Sequence, residues 1–364
     1  MGGLEACLRQ LHGEDHQGIM IQDVRQVTFA TLPSSDGFIG TSPCGDFSVL
    51  GANDKIGLEG ERGGLFQQQL EFIRHLARRR ERPLKWIFLE TCCGFLVRRK
   101  GVRSSDVAHE WWSVNMPGWA PLTIWVQNLR DASSSASRGR CFVTSYSKQF
   151  LEVIGNALPQ QPQKHCPTNL MDFLDDCSQE VDLEKLGKVQ RLNVKAWNEM
   201  FNDEKRIPPW SELGVVDLSR RPTGKFGAYI SEDFAPIFTT KNDKLLIMKK
   251  ADASSAKTAG HGRVLTIKER AAMQGYLTTA FPNMSERQVV MALGETLPVN
   301  LAGVMLEPVM KAWATYESRL IESGLWGERH LGPASRLHLQ EKRAGSKRPV
   351  PPPQSPQKKA RKIF

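Results

Sequence analysis

Four separated stretches of this 364-residue sequence hold residue types that could do covalent chemistry. The first is GTSPCGDFSVLG (40–51), in which Pro43 and Cys44 follow a short apolar strand in a loop of small residues. At the carboxyl edge of a parallel sheet, where such folds bind ligands, that loop would present a thiol nucleophile. A single Cys is more often a small buried hydrophobe, so the loop weighs little alone. The second is LETCCGFL (89–96), where Glu90 closes an apolar strand just before a glycine turn. A carboxylate there is costly unless it is solvated or used, and a strand-end Glu pointing into water is the commoner case. The third is SASRGR (135–140). Its Arg138 and Arg140, at alternate positions before a strand, project to one side and could hold a carbonyl or a phosphate; a solvated basic edge is the plainer reading. The fourth is RVLTIKERAAMQGY (263–276), followed by Phe281-Pro282 and GETLPVNLA (294–302). Thr266 and Glu269 there have capping-box spacing, which is structure rather than chemistry.

The elements that must position these residues follow from periodicity. Apolar residues recur every three or four positions over 62–82 (Leu65/Phe66, Leu70, Phe72/Ile73, Leu76/Ala77), which predicts a helix stopped by Pro83. The apolar runs 36–41, 84–89, 123–127 and 140–145 read as strands. Strands alternating with helices predict an α/β fold with a mostly parallel sheet covered on both faces. Between about 146 and 262 no period persists, and acidic helical pieces over 170–186 give way to irregular Pro and Gly segments. That stretch reads as a second domain or a large insertion. The cluster Trp111, Trp112, Trp119 and Trp125 reads as core packing, and Arg78-Arg79-Arg80 as a helix end.

Composition removes several classes. A hydrophobic share of 40% with 24% charged residues is that of a globular chain. No run of about 18 apolar residues occurs, so no helix is expected to span a membrane. The N-terminus has neither the basic nor the apolar part of a secretory signal. Seven scattered cysteines with no Cys-x-x-Cys pair argue for a reducing compartment, and His165, Cys166 and Cys177 are too sparse for a structural zinc site. The net charge of +10 is uneven: residues 342–364 hold eight Lys and Arg and no acid, leaving +2 for the remainder. That Pro-rich tail reads as disordered. Lys347-Arg348 and the cluster 358–362 have bipartite spacing, an address for a nuclear import receptor and hence a nuclear location; a solvated tail is the equal alternative.

Taken in order, the segments resemble the cytosine-5 DNA methyltransferase family over about residues 1–315. GTSPCGDFSVLG is similar to its Pro-Cys loop, ERGGLF (61–66) to the helix start after it, and LETCCGFL to its Glu-Asn-Val segment. SRGRCF (137–142) is similar to the end of its Gln-x-Arg-x-Arg segment. RVLTIKERAAMQGY, Phe281-Pro282 and GETLPVNLA resemble its last motifs, and Asp217-Leu218-Ser219 with PIFTT (236–240) the end of a target-recognition region. The resemblance implies a Rossmann-like S-adenosylmethionine-dependent methyltransferase sheet with an inserted target-recognition domain. Its expected parts are a catalytic first part at 1–145, recognition at 146–262, a closing part at 263–325 and the tail at 326–364. It implies methyl transfer from S-adenosylmethionine to carbon 5 of a flipped cytosine in duplex DNA, with Cys44 attacking carbon 6. Glu90 would face ring nitrogen 3, while Arg138 and Arg140 hold the base. Gly2, Gly3, Asp23, Pro43, Glu295 and Thr296 would line the cofactor, with no metal and no membrane involved. An inactive DNA-binding scaffold of the same fold and a tRNA-methylating relative are the alternatives.

The sequence departs from the family pattern at Thr91, Ala136 and Glu295, where the family has Asn, Gln and Asn. At the N-terminus only Met1-Gly2-Gly3-Leu4 resembles the end of the glycine loop. GIMIQDV (18–24) resembles the third cofactor segment, too soon for a strand and helix between them. The first strand, and with it the second, is therefore expected to be missing. That leaves an incomplete gene model of an active enzyme or a degenerate relative.

Overall fold

The computed structural model describes residues 27–29, 34–41, 46–47, 57–60, 63–134, 136–155, 158–166, 168–175, 183–201, 213–223, 231–232, 235, 244–249, 263–276 and 284–325. The expectations for Gly2, Gly3, Asp23, Pro43, Cys44, the N-terminal strands and the tail fall outside them.

A four-stranded sheet forms the centre, in the order β1 (Gly37–Thr41), β2 (Trp86–Cys92), β6 (Gly139–Tyr146), β5 (Thr123–Asn128). The sheet is less parallel than the sequence suggests. β1 pairs with β2 in parallel, but β6 runs antiparallel to both β2 and β5. The link from β5 to β6 covers only residues 129–138, too short for the crossover a parallel pair needs. All seven residues of β2 are buried, whereas β1 alternates half-buried and exposed positions, with Ile39 53% exposed.

The pleat sorts β2 and β6 into two faces. Trp86, Phe88, Phe142 and Tyr146 join the core formed with α3 (Lys148–Ile154) and the long α7 (Val299–Glu322). Ile87, Leu89 and Val143 join the core formed with α1 (Gly63–Ala77) and α2 (Ser104–Asn115). Trp112, Trp119 and Trp125 are buried in these cores, as expected. A two-residue ribbon, β3 (Arg98–Arg99) with β4 (Val102–Arg103), precedes α2. α1 stops at Ala77, short of Arg82, because the arginines beyond it are used elsewhere. Arg79 donates to the Phe29 carbonyl and the Ser34 hydroxyl, and Arg78 to the Asn115 carbonyl. Gly63 starts α1 where a Cβ would stand 1.8 Å from the Gly57 carbonyl oxygen, so only glycine fits.

Beyond residue 146 the chain is more regular than its sequence suggests. Of the acidic helical pieces expected over 170–186, the described residues hold single turns at Leu170–Phe173 and Leu183–Lys185. Leu170 and Phe173 still pack on the α7 core. The stretch read as irregular contains α4 (Lys188–Phe201) and an antiparallel sheet in the order β8 (Ser231–Glu232), β7 (Leu213–Asp217), β9 (Leu245–Lys249). Val215, Leu245 and Ile247 face the main core, while Val216 and Leu246 face Val194 and Trp197 of α4.

The closing part adds α5 (Ile267–Met273), α6 (Glu286–Glu295) and α7. One window within residues 286–322 is apolar and long enough to cross a membrane by composition, which the sequence reading did not foresee. The helix is interrupted between Glu295 and Val299, and the Leu301, Met305, Val309, Tyr316 and Leu320 face of α7 is packed in the core. Those are the properties of a core helix.

Candidate active site

Glu90 and Arg140 meet at the carboxyl end of β2. Glu90 continues the face of Trp86 and Phe88, and Arg140 the face of Phe142, which stands opposite Glu90 in the ladder. The Arg140 Nε lies 2.6 Å from a Glu90 carboxylate oxygen, and both residues are buried. Burial pushes the Glu90 carboxyl above the usual carboxylate range; the charges of Arg140 and Arg138 offset only part of this. Among the described residues, Arg140 is the only side chain that pairs with Glu90. A carboxylate has about four acceptor positions, so Glu90 keeps room for another partner.

Arg138 shares that face of the strand, but its guanidinium goes elsewhere. Nη1 donates to the Gln274 side-chain oxygen at 2.9 Å and to the Leu293 carbonyl at 2.8 Å. Nη2 donates to the Gly294 carbonyl at 2.8 Å. Arg138 latches β6 to the last turns of α5 and α6, where a cation suits the helix C-termini. Gln274 adds a bond of its own to the Leu293 carbonyl at 3.1 Å. No local spacing marks Gln274 for this role; its place just past a helix end is a capping position, readable only once the partner is known.

The latch sets Glu295 and Thr296 immediately beyond its acceptors. Glu295 is exposed at the end of α6, and the Thr296 N–H closes that helix on the Ala292 carbonyl. A carboxylate at a helix C-terminus makes a negative corner, which suits a cationic ligand such as a sulfonium with its ammonium group. Glu295 and Thr296 are the described part of the set that the family resemblance assigns to the cofactor. No group of three metal-ligating side chains occurs among the described residues.

The residues at two of the departures, Thr91 and Ala136, are both buried. Thr91 is fully buried with its hydroxyl oxygen unpartnered. Ala136 is 1% exposed and bridges to Ala235. The Pro-Cys loop leaves β1 at Thr41, paired with Glu90 itself. It returns at Asp46, whose carboxylate accepts the Gly63 N–H at 2.9 Å and fixes the start of α1.

A strand-end carboxyl with a buried arginine, on a sheet covered by helices and closed by a distant segment, marks a candidate site at the strand ends of an α/β fold. The comparisons place it further. Residues 7–311 match the family described as C-5 cytosine-specific DNA methylase, and the chain belongs to that family. It is 21% identical over 312 residues to the type II methyltransferase M.FnuDI of Fusobacterium nucleatum, covering 82% of this chain and 84% of that protein. Among solved structures it resembles the Entamoeba histolytica methyltransferase EhMeth, at 12% identity and a TM-score of 0.52 over 84% of this chain and 87% of that one. A mutant of Spodoptera frugiperda DNMT2 gives 12% and 0.50 over 85% and 90%. At such identities the structures show the shared fold, a Rossmann-like S-adenosylmethionine methyltransferase fold, as expected from the sequence.

Proposed function

We propose that this chain methylates carbon 5 of cytosine in duplex DNA, with Cys44 as nucleophile and Glu90 as the acid at ring nitrogen 3. The observation that carries this is the Glu90 carboxyl: buried, held by one arginine, and raised toward its protonated form by burial. A neutral carboxyl can donate to ring nitrogen 3, which drains charge from the ring as a thiolate adds at carbon 6. Cys44 lies three residues past Thr41, the register partner of Glu90, so chain length alone keeps it within about 11 Å of Thr41.

Arg140 fixes the Glu90 carboxyl and keeps water from it. Arg138 positions β6 against the closing segment. S-adenosylmethionine, when bound, supplies the electrophilic methyl group. Loss of the carbon 5 proton and departure of the Cys44 sulfur then restore the ring. Reaching Cys44 requires the cytosine to leave the base stack. The unit of α4 with β7, β8 and β9 is read as the part that meets flanking sequence, and the basic tail as a nuclear address.

Transfer of labelled methyl from S-adenosylmethionine to duplex DNA, compared with tRNA, tests the substrate. Labelling of DNA that is lost in Cys44→Ser supports the proposal. Labelling of tRNA alone moves it to the RNA-methylating branch. DNA binding that weakens with salt, without label, leaves the scaffold reading. Fusing residues 326–364 to a fluorescent carrier tests the address; a carrier that stays outside the nucleus removes it.

A further inference from the structure

The two-stranded ribbon of β3 and β4 follows directly from the end of β2 that carries Glu90, and the site described above makes no use of it. β2 runs through Glu90 to Cys92, the turn Cys93–Leu96 comes next, and the ribbon begins at Arg98. Eight residues separate Arg98 from Glu90, so their Cα atoms lie within about 28 Å of each other. Phe95, in the intervening turn, is fully buried against Phe47 and Phe66, with ring centroids 5.6 and 5.0 Å away. Arg99 Nη2 donates to the Phe47 carbonyl at 2.9 Å. The base of the ribbon is thus fixed to the segment that returns from the Pro-Cys loop.

Beyond that base the ribbon is cationic and exposed. Residues 91–109 hold four cations, Arg98, Arg99, Lys100 and Arg103, and one acid, Asp106. Asp106 sits in the first turn of α2, where a carboxylate suits the helix N-terminus. Arg98 stands directly opposite Arg103 in the ladder, on the face away from Arg99. Lys100 and Gly101 make the turn, with φ of 47° and 87°. Arg98, Lys100 and Arg103 are exposed, and among the described residues none of them has an acid or a side-chain hydrogen bond.

Two features of this ribbon work against its folding. Like charges directly opposite one another on a ladder repel. A two-residue hairpin turn with both φ values positive favours Asn or Gly at its first position, not Lys. Packing offsets neither, because the three side chains lie in solvent. A polyanion laid along the ribbon would offset the repulsion.

We propose that the β3–β4 ribbon is a clamp for the phosphate backbone of duplex DNA, with Arg98, Lys100 and Arg103 each neutralising one phosphate. The choice of DNA as the polyanion rests on the function proposed above. Duplex DNA carries about one charge per 1.7 Å of its axis, so three cations a few ångströms apart can all find phosphates. Such contacts carry no sequence information; they set the position of the duplex on the protein. Arg99 anchors the ribbon and is not part of the clamp.

The test is binding of a labelled DNA duplex to the full chain by fluorescence anisotropy, at a series of salt concentrations. The parent is compared with the triple variant Arg98→Gln, Lys100→Gln, Arg103→Gln. The basic tail is common to both, so the difference reports the ribbon. The logarithmic salt slope should flatten by about 2–3 in the variant, at about 0.9 per phosphate contact. The triple variant Arg98→Lys, Lys100→Arg, Arg103→Lys keeps the charges and should keep the parent slope. Urea unfolding of the Gln variant should match the parent or improve on it, since the facing arginines are gone. An unchanged slope in the Gln variant overturns the proposal, as does a slope that flattens for tRNA but not for duplex DNA. A Lys/Arg variant as weak as the Gln variant also overturns it, because charge alone would then not account for binding. Methyl transfer reads the enzyme separately: a flattened slope in a chain that transfers no methyl group keeps the clamp and removes the enzyme reading. Methyl transfer to DNA with an unchanged slope does the reverse, and a parent that binds no duplex DNA overturns both.

Discussion

Glu90 and Glu269 are buried carboxyl groups that each face an arginine at ion-pair distance. Glu90, on β2, meets Arg140 at 2.6 Å, and Glu269, on α5, meets Arg263 at 2.8 Å. Their protons behave oppositely. Glu269 is 1% exposed, and burial alone would raise it as it raises Glu90. It also receives two nitrogens of Arg263, the Thr266 N–H at 2.8 Å and the Asp175 N–H at 2.8 Å. Together these outweigh burial and hold Glu269 below the usual carboxylate range. A saturated carboxylate is a structural anion; one with a single donor is a carboxyl with a proton to offer. The number of donors, and not the presence of an arginine, separates the two roles.

The same contrast divides the two arginines of the RGR segment. Arg140 faces a titratable acid, whereas Arg138 faces neutral oxygens that never change charge. Glu90→Gln should therefore give the largest effect: methyl transfer falls about 10²–10⁴-fold, the usual worth of a positioned acid. Its thermal unfolding at neutral pH should be unchanged or slightly improved, because the amide can still accept from Arg140 without the cost of a buried charge. Near-parental transfer rates in this variant would remove Glu90 from the chemistry. Arg138→Met comes next, and reads mainly on stability. It strips charge-assisted bonds from the buried Leu293 and Gly294 carbonyls, which should cost about 3–5 kcal/mol in a urea titration. A variant as stable as the parent would mean the latch carries no strain between β6 and the closing segment.

The pH dependence sharpens the comparison further. Glu269→Gln should cost about 2–3 kcal/mol at neutral pH, through lost charge-assisted bonds. Because the folded value of Glu269 lies below its unfolded value, the unfolded chain binds the extra proton between them. Its stabilisation is full above the ordinary carboxylate range and disappears as pH falls through the folded value. Glu90 has the opposite sign. Its folded value lies above the unfolded one, so the folded state holds the extra proton in that window, and stability falls as pH rises through it. Unfolding of each Gln variant against the parent from acid to neutral pH should give difference curves of opposite slope. Parallel curves would show that the two carboxyls do not differ as described.

How much of this was legible in the sequence depended on whether a residue's partner was local. β1, β2, β5 and β6 lie within a few residues of their expected positions, because each is an apolar run with a turn on either side. α4 was missed: its buried face is only Asn193, Val194 and Trp197, while the apolar Val189 and Leu192 are exposed, so the pattern gives the wrong stripe. β7 and β9 were missed because both faces are buried, one on each core, and a short continuous apolar run has no period to read. Glu90 and Arg140 could be named from their motifs, but not the separation of Arg138 from them. Its acceptors lie 136 to 156 residues away, where no local spacing could show them.

The capping box at the start of α5 is the case where local spacing alone sufficed, and it supports the smallest prediction. Thr266 accepts the Glu269 N–H at 3.2 Å, and the Glu269 carboxylate accepts the Thr266 N–H at 2.8 Å. Thr266→Ala removes only the first of these. Glu269 keeps its remaining donors, so the carboxylate stays saturated and its pH dependence should persist. The expected loss is about 1 kcal/mol of unfolding free energy, that of an N-cap. Methyl transfer should be unchanged, because α5 reaches the site only through Gln274 at its far end, and that end is held by Arg138. A loss well beyond the capping value, accompanied by a flattened acid limb, would mean that Thr266 also orients Glu269 toward Arg263. The saturated carboxylate would then depend on its cap, and the contrast with Glu90 would rest on one hydroxyl in addition to the number of donors.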